Sequence, residues 1–366
     1  MESSKPRAAL VLPPREAFAP GRAGAIGLIL HALAGAGSAF EQIVVGPPQP
    51  DVFAGVSYRG IDWPWWPGPL ARRYAHAVAA TLRRLRPAIV EVHNRPELAL
   101  HLARSLRVPV ILVLHNRLEG RHAAVRAEIF RQVRVATVSD WLRHETIGDV
   151  PGAAATVLPN PIDLATIPTP RARRAAILFA GRIVADKGAD AFVAACALAL
   201  PRLPGWTAAM IGADRFGPDS PPTPYLNRLR AQAQAAGVAM AGYQPHEAVL
   251  AAMAEAAIVV VPSRWPEPFG MVALEALACG AALAYAPRGG LPEVVGAAGV
   301  TLDPDDPPAM AATLVALAGD PDRRAMLAEA GRAQAGRFAL PAAIARLDAL
   351  RTDVLAAWPP GRGHPI

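Results

Sequence analysis

The feature that most limits the fold is an alternation of short apolar runs with stretches of helical spacing, which halts at a proline-rich segment and then starts again. In the first half, Ala8–Leu12, Gln42–Gly46, Ala88–Val92, Val108–Leu114 and Val135–Val138 read as strands. Between them, Ala25–Ala36, Leu70–Leu85, Pro96–Leu106 and Glu119–Arg131 carry apolar residues at helical intervals. Strands that are apolar on both faces must be covered on both, so the pattern predicts α/β layers with a parallel sheet. Leu158 to Arg174 holds four prolines and no apolar period, which marks a linker. The alternation resumes with strands expected at Ala176–Ala180, Thr207–Gly212, Ala239–Gly242, Ile258–Pro262, Ala281–Tyr285 and Gly299–Leu302, and a helical tail runs from about Ala342 to Trp358. Two Rossmann-like halves place a cleft between the carboxyl ends of two sheets, where open α/β sheets take ligands.

Composition removes several classes of function. With 366 residues, 52% of them hydrophobic, the chain has apolar material for two cores and is not disordered in the main. Ala23 to Phe40 lacks charged side chains but carries four glycines and His31, so it reads as a glycine-rich turn entering a buried helix rather than a membrane span. Only five apolar residues separate Arg7 from Pro13, short of the roughly 7–15 of an export signal, and a cytoplasmic protein is expected. Cys196 and Cys279 have no His or Cys neighbours at metal-ligand spacing and read as small core residues. A net charge of +7 is spread thinly along the chain, and no nucleic-acid partner is expected. Of the 37 basic residues 35 are Arg, which singles out the two lysines, Lys5 and Lys187.

Two constellations carry chemistry. In Val261-Pro-Ser-Arg-Trp-Pro-Glu267-Pro-Phe-Gly270-Met-Val-Ala-Leu-Glu275, a strand ends, a loop presents Glu267, and a helix starting near Gly270 carries Glu275 in its second turn. The leading amides of such a helix suit an anion. Glu275 lies in Val272-Ala-Leu-Glu-Ala-Leu-Ala, where an unpaired charge is costly, so it needs a partner. Ile177-Leu-Phe-Ala-Gly181-Arg182-Ile-Val-Ala-Asp-Lys187-Gly188 puts two cations just past a strand, placed to neutralise a diphosphate.

Together with Gly289-Gly290-Leu-Pro-Glu293, and in this order, these motifs resemble the family 4 (group 1) retaining glycosyltransferases. The resemblance covers almost the whole chain and implies the GT-B architecture: two facing Rossmann-like domains with mostly parallel sheets and an interdomain cleft. It implies residues 1–160 as an acceptor-side domain, 161–340 as the nucleotide-sugar domain, and 341–366 as a helix and tail packing back on the first. It further implies that Glu275 bonds the ribose, that Glu267 contacts a donor-sugar hydroxyl, and that the amides of Phe269, Gly270, Met271 and Val272 line sugar and phosphate. Arg182 and Lys187 would hold the diphosphate leaving group; Tyr243, near a strand end, is a candidate for the base pocket. In the first half, Gly24 and Ala25 belong to a segment resembling the family's glycine-rich turn, where backbone approaches diphosphate and acceptor. His93 and His115 each follow a strand; a His there is more often structural, but the resemblance places His115 beside the donor sugar. Ser139, Asn160 and Asp163 also fit the family pattern, in supporting roles.

The implied activity is transfer of a sugar from a nucleotide-diphosphate sugar to a saccharide or lipid-linked hydroxyl in cell-surface glycan biosynthesis, such as lipopolysaccharide or other polysaccharide. No cofactor and no metal are expected; Asp303, Asp305 and Asp306 read as a turn. The alternatives are a GT-B sugar-nucleotide epimerase or a non-catalytic nucleotide-sugar-binding protein. Between Asp62 and Glu91 there is no acidic residue, while Trp63, Trp65, Trp66, Arg72, Arg73, Arg83, Arg84 and Arg86 lie there. This patch suits an acceptor sugar or peripheral contact with an anionic membrane; the plainer reading packs the Trp side chains on the domain ahead of an Arg-faced helix.

Overall fold

The computed structural model describes residues 5–118, 123–148, 150–169, 172–214 and 222–359. The chain divides into two compact units, Met1–Pro161 with Leu340–Ile366, and Ile162–Ala339.

The first unit runs β1 (Arg7–Val11), α1 (Ala25–Gly35), β2 (Glu41–Gly46), β3 (Ser57–Gly60), α2 (Leu70–Leu85), β4 (Ile89–His93), α3 (Pro96–Ser105), β5 (Val110–Leu114), α4 (Ala123–Gln132), β6 (Arg134–Thr137), α5 (Asp140–Ile147) and β7 (Ala155–Val157). Its strands form one parallel sheet in the order β3-β2-β1-β4-β5-β6-β7. The central strands are buried along their length, which is why they appear in the sequence as unbroken apolar runs. Two edge strands escaped that reading: Ser-Tyr-Arg-Gly of β3 is alternately half-buried and exposed, and β7 has only three residues, all half-buried. The eight-residue α5 escaped it too; Ser139 begins it by accepting the Leu142 amide at 3.0 Å. The expected helix Glu119–Arg131 is seen from Ala123, its residues 119–122 lying outside the described ones.

The second unit runs β8 (Arg174–Ala180), α6 (Ala189–Ala199), β9 (Thr207–Ile211), α7 (Pro224–Ala235), β10 (Val238–Met240), α8 (His246–Glu255), β11 (Ala256–Val261), α9 (Met271–Ala278), β12 (Ala282–Tyr285), α10 (Leu291–Val295), β13 (Gly299–Thr301), α11 (Pro307–Gly319) and α12 (Pro321–Gly336). Its sheet is also parallel, in the order β10-β9-β8-β11-β12-β13. The order reverses between β8 and β11, so the crevice at their carboxyl ends is a topological switch point. Ile177, Phe179, Phe192, Ile258, Val260 and Leu314 form the centre of a core beneath it, and Cys196 belongs to that core. Both thiols are free and buried, and burial pushes each up to about 12.

The boundary between the two units falls inside the proline-rich segment, and described residues on either side of it are tied into their own units. Residues to Pro161 belong to the first; Ile162 bridges Ala339 within the second. Arg173 donates to the carbonyls of Ala256 and Cys279, both at 2.6 Å, and Arg174 opens β8. Pro170 and Arg171, also in the expected linker, lie outside the described residues. The last helix, α13 (Leu340–Ala356), belongs to the first unit, where fully buried Arg351 donates to Glu91 of β4 at 2.5 Å and Gln42 of β2 at 2.9 Å. Removing one partner of such a buried pair costs about 3–5 kcal/mol. Residues 360–366 of the tail, like Met1 to Ser4, lie outside the described residues.

Candidate active site

Three neighbouring strands of the second sheet, β8, β11 and β12, send out the loops that hold the Lys187, Glu267 and Gly289-Gly290 motifs in one place. The loop after β11 is tied to the loop after β8: the Arg264 and Trp265 amides both donate to the Asp186 carbonyl at 2.9 Å. Across that seam Lys187 Nζ meets Glu267 Oε1 at 2.5 Å, and Ser263 Oγ donates to the same oxygen at 2.8 Å. Both charged side chains are mostly shielded, 22% and 12% exposed, so each supplies the charge the other needs. Ser263 was not singled out in the sequence; a serine in a loop carries no signal by itself, and only its buried bond to Glu267 gives it a role.

The third loop supports Glu267 from behind. Gly290 donates its amide to the Glu267 carbonyl at 2.7 Å, and Gly289 bridges Glu267 as an isolated pair. Gly289 has φ +65°, and a Cβ there would stand 2.3 Å from the Glu267 carbonyl oxygen. That close approach is the physical reason for glycine in Gly289-Gly290.

Gly270 caps α9, and Ala273 and Leu274 close the first bonds onto its carbonyl. The amides of Met271 and Val272 therefore head the helix, where N–H groups and the positive dipole end suit an anion. Phe269 is buried and sets its ring edge against Phe338 with centroids 5.6 Å apart, so its side chain anchors the turn. Glu275 is buried, and its partner is His246, Nε2 to Oε1 at 2.9 Å. The hydrogen bond to Glu275 raises the His246 pKa above its ordinary value against the opposing effect of burial. His246 opens α8 and was missed in the sequence, since a half-exposed His at a helix start reads as surface. Tyr243 lies half-buried in the same loop, after β10. Arg182 is exposed, two residues past the end of β8.

Asp303, Asp305 and Asp306 serve structure: Asp305 holds Arg264 at 2.8 Å, and Asp306 caps α11 through the Ala309 amide at 3.0 Å. Among the described residues no group of three or more His, Cys, Asp or Glu side chains is arranged to hold a metal ion, and no helix is long and apolar enough to cross a membrane.

In the first unit Gly24 caps α1 and Ala25 begins it. The anion-favouring end of that helix is taken by Glu16, which accepts the Gly27 amide at 2.9 Å and whose pKa is raised chiefly by burial. Glu16 gave no sign in the sequence because its contact spans a turn of eleven residues. Asn160 is buried beside a cavity that His93 and His115 also line, and Asp163 caps a 3-10 turn through the Ala165 amide at 3.0 Å. His115, just past β5, faces His93, at the end of β4, with His93 Nδ1 and His115 Nε2 3.0 Å apart. Of the Trp–Arg patch, Trp63 packs near Tyr74 with Arg73 over its ring, Trp66 meets His76 edge-on, and Trp65 is 93% exposed.

Known proteins resemble this chain in sequence and in fold. The model for Glycosyltransferase Family 4 matches residues 28–166, and that for Glycosyl transferases group 1 matches residues 167–334. A glycogen synthase of Mycobacterium tuberculosis is 32% identical over 283 residues, 69% of this chain and 65% of the relative. A D-inositol 3-phosphate glycosyltransferase of Thermobispora bispora is 36% identical over 185 residues, 49% of this chain and 43% of the relative. The chain thus spans less than two thirds of either relative's length. HepE of Anabaena, solved in complex with UDP and glucose, aligns with a TM-score of 0.75 at 19% identity over 96% of this chain and all of that one. Sucrose-phosphate synthase of Thermosynechococcus elongatus aligns at 0.77 and 18%, again over 96% of this chain and all of that one. These structural likenesses speak for the GT-B fold. With two family models that between them run from residue 28 to residue 334, this chain belongs to the family 4, group 1 glycosyltransferases.

Proposed function

We propose that this protein is a retaining glycosyltransferase of hexosyl type that moves a sugar from a nucleotide-diphosphate sugar to a hydroxyl of a saccharide or lipid-linked acceptor, without a metal, in the building of a cell-surface glycan. The observation that carries the reading is the Lys187–Glu267 clasp at the β8/β11 switch point, beside the head of α9. A diphosphate entering there offers Lys187 a second anion, and the carboxylate it releases can accept a hydrogen bond from a sugar hydroxyl. Arg182 and the Met271 and Val272 amides add positive potential for the leaving group, in the manner of an oxyanion hole. Glu275, oriented by His246, accepts from the ribose hydroxyls, and Tyr243 borders the base. In the first unit His115 takes a donor-sugar hydroxyl, and the Gly24–Ala25 turn serves the acceptor side.

Chemically, the anomeric C–O bond to phosphate breaks while the acceptor oxygen bonds the same carbon from the same face. The acceptor proton passes to the departing diphosphate. HepE of Anabaena was solved with UDP-glucose, which supports a nucleotide-sugar donor for a chain of this fold. The exposed Trp65, in a stretch of sequence rich in arginine, supports peripheral contact with an anionic membrane face, and a cytoplasmic location is part of the same proposal. The deciding test offers a panel of nucleotide-diphosphate sugars and follows their fate. Release of free nucleotide supports transfer; a sugar changed but still attached means epimerisation; tight binding with no turnover means a binding protein.

A further inference from the structure

The first unit contains a buried chain of ionisable groups that the proposed reaction uses only at its last member. Arg351 Nε holds Glu91 Oε1 at 2.5 Å, with both side chains wholly buried. A guanidinium is always charged, and one buried like this calls for a carboxylate. The other oxygen, Glu91 Oε2, and His93 Nε2 are both buried without a hydrogen-bond partner and stand 3.9 Å apart. A cavity of about 30 Å³ borders Glu91, His93 and His115. From the far side of the ring, His93 Nδ1 faces His115 Nε2 at 3.0 Å.

Burial drives His93 well below its ordinary pKa and brings His115 down to about 4, so both rings are neutral near pH 7, with one N–H each. Two arrangements of these protons satisfy the contact between the rings. In one, His93 donates to His115, which turns a bare His93 Nε2 lone pair toward the carboxylate. In the other, His93 carries its proton on Nε2, toward Glu91, and His115 Nε2 donates to His93 Nδ1. The first sets lone pair against anion in a low-dielectric interior, and the second sets an N–H dipole toward it.

We infer that Glu91 and His93 are positioning residues that fix the tautomer of His115 with the proton on Nε2, leaving Nδ1 as an obligatory hydrogen-bond acceptor. On the proposed function, on which this role rests, Nδ1 selects a donor group such as a sugar hydroxyl and discriminates against a carboxylate or carbonyl oxygen. Arg351 reaches into the same chain from α13, which makes the last helix part of how His115 is set.

The ring nitrogens of the full-length protein labelled with ¹⁵N-histidine report this directly, without substrate. The expected spectrum near pH 7 shows His115 and His93 both protonated at Nε2 and bare at Nδ1; His115 carrying its proton on Nδ1 overturns the inference. His93→Phe keeps a ring in place and removes the acceptor, so His115 should become a mixture of tautomers. With that change kcat/KM should fall on the order of 10–100-fold, as for lost outer-shell orienting groups. His115 keeping a single Nε2–H tautomer in His93→Phe also overturns it. An unaltered kcat/KM alongside the expected shift in tautomer would instead refute the assignment of His115 to the donor sugar.

Discussion

Replacing Gly289 by Ala perturbs the site through the Glu267 backbone while leaving the Glu267 carboxylate chemically intact. The added Cβ would lie 2.3 Å from the Glu267 carbonyl oxygen and 2.6 Å from its amide nitrogen, whereas ordinary contact begins at 3.4 Å. Both neighbours are backbone, so no rotamer change relieves the clash, and Glu267 must move by about 3.4 − 2.3 = 1.1 Å. A misplacement of about 1 Å costs on the order of 100-fold in rate, equivalent to about 2.7 kcal/mol. The left-handed backbone at φ +65° adds roughly 1–2 kcal/mol of instability for a residue with a side chain, a Tm drop of about 2–4 °C per kcal/mol for a unit of this size. Gly205→Ala is the control: its φ is +81°, but nothing lies within 4 Å of the new Cβ, so it should destabilise similarly and leave turnover alone. Steady-state nucleotide release and a thermal melt on both variants separate the two effects. Gly289→Ala turning over donor within about threefold of wild type, while folded, would refute the claim that this glycine sets the Glu267 carboxylate.

Other consequences are independent of that one. Lys187→Ala should lower kcat/KM on the order of 10²–10³-fold in the same nucleotide-release assay, the size of a lost oxyanion donor. The raised His246 pKa means that the folded state holds its proton more tightly than the unfolded one. Stability from the His246–Glu275 pair is therefore fully present below about pH 6.5 and is lost as pH rises through the folded pKa. Melting curves should show wild type losing ground to His246→Asn over that rise, and parallel curves would contradict it. Trp65→Ala should weaken flotation with anionic liposomes at low salt, and wild type failing to float would remove the membrane contact.

The buried strands were legible because a parallel sheet covered on both faces writes itself as continuous apolar runs; β5 and β11 stand out in this way. Short edge strands such as β3 and β7 write no such run: β3 alternates exposed with half-buried residues, and β7 is three half-buried ones. Glu275 could be read as needing a partner from the apolar residues around it, but not which partner, because His246 lies 29 residues away on another helix. The same limit hid Glu91 and Arg351, which are 260 residues apart and pair only once α13 joins the first unit. Lys187 and Glu267 were each visible as chemistry, whereas their 2.5 Å contact depends on the register of β8 beside β11.

The claim that everything else depends on is that the Lys187–Glu267 clasp opens to take a diphosphate. Calorimetric titration of wild type and Lys187→Ala with uridine, guanosine and adenosine diphosphates measures this directly. At least one nucleotide should bind wild type, and the variant should bind it roughly 10- to 150-fold more weakly, the worth of a charge-assisted hydrogen bond. Equal affinity in the two proteins, or no binding of any of the three, would contradict it.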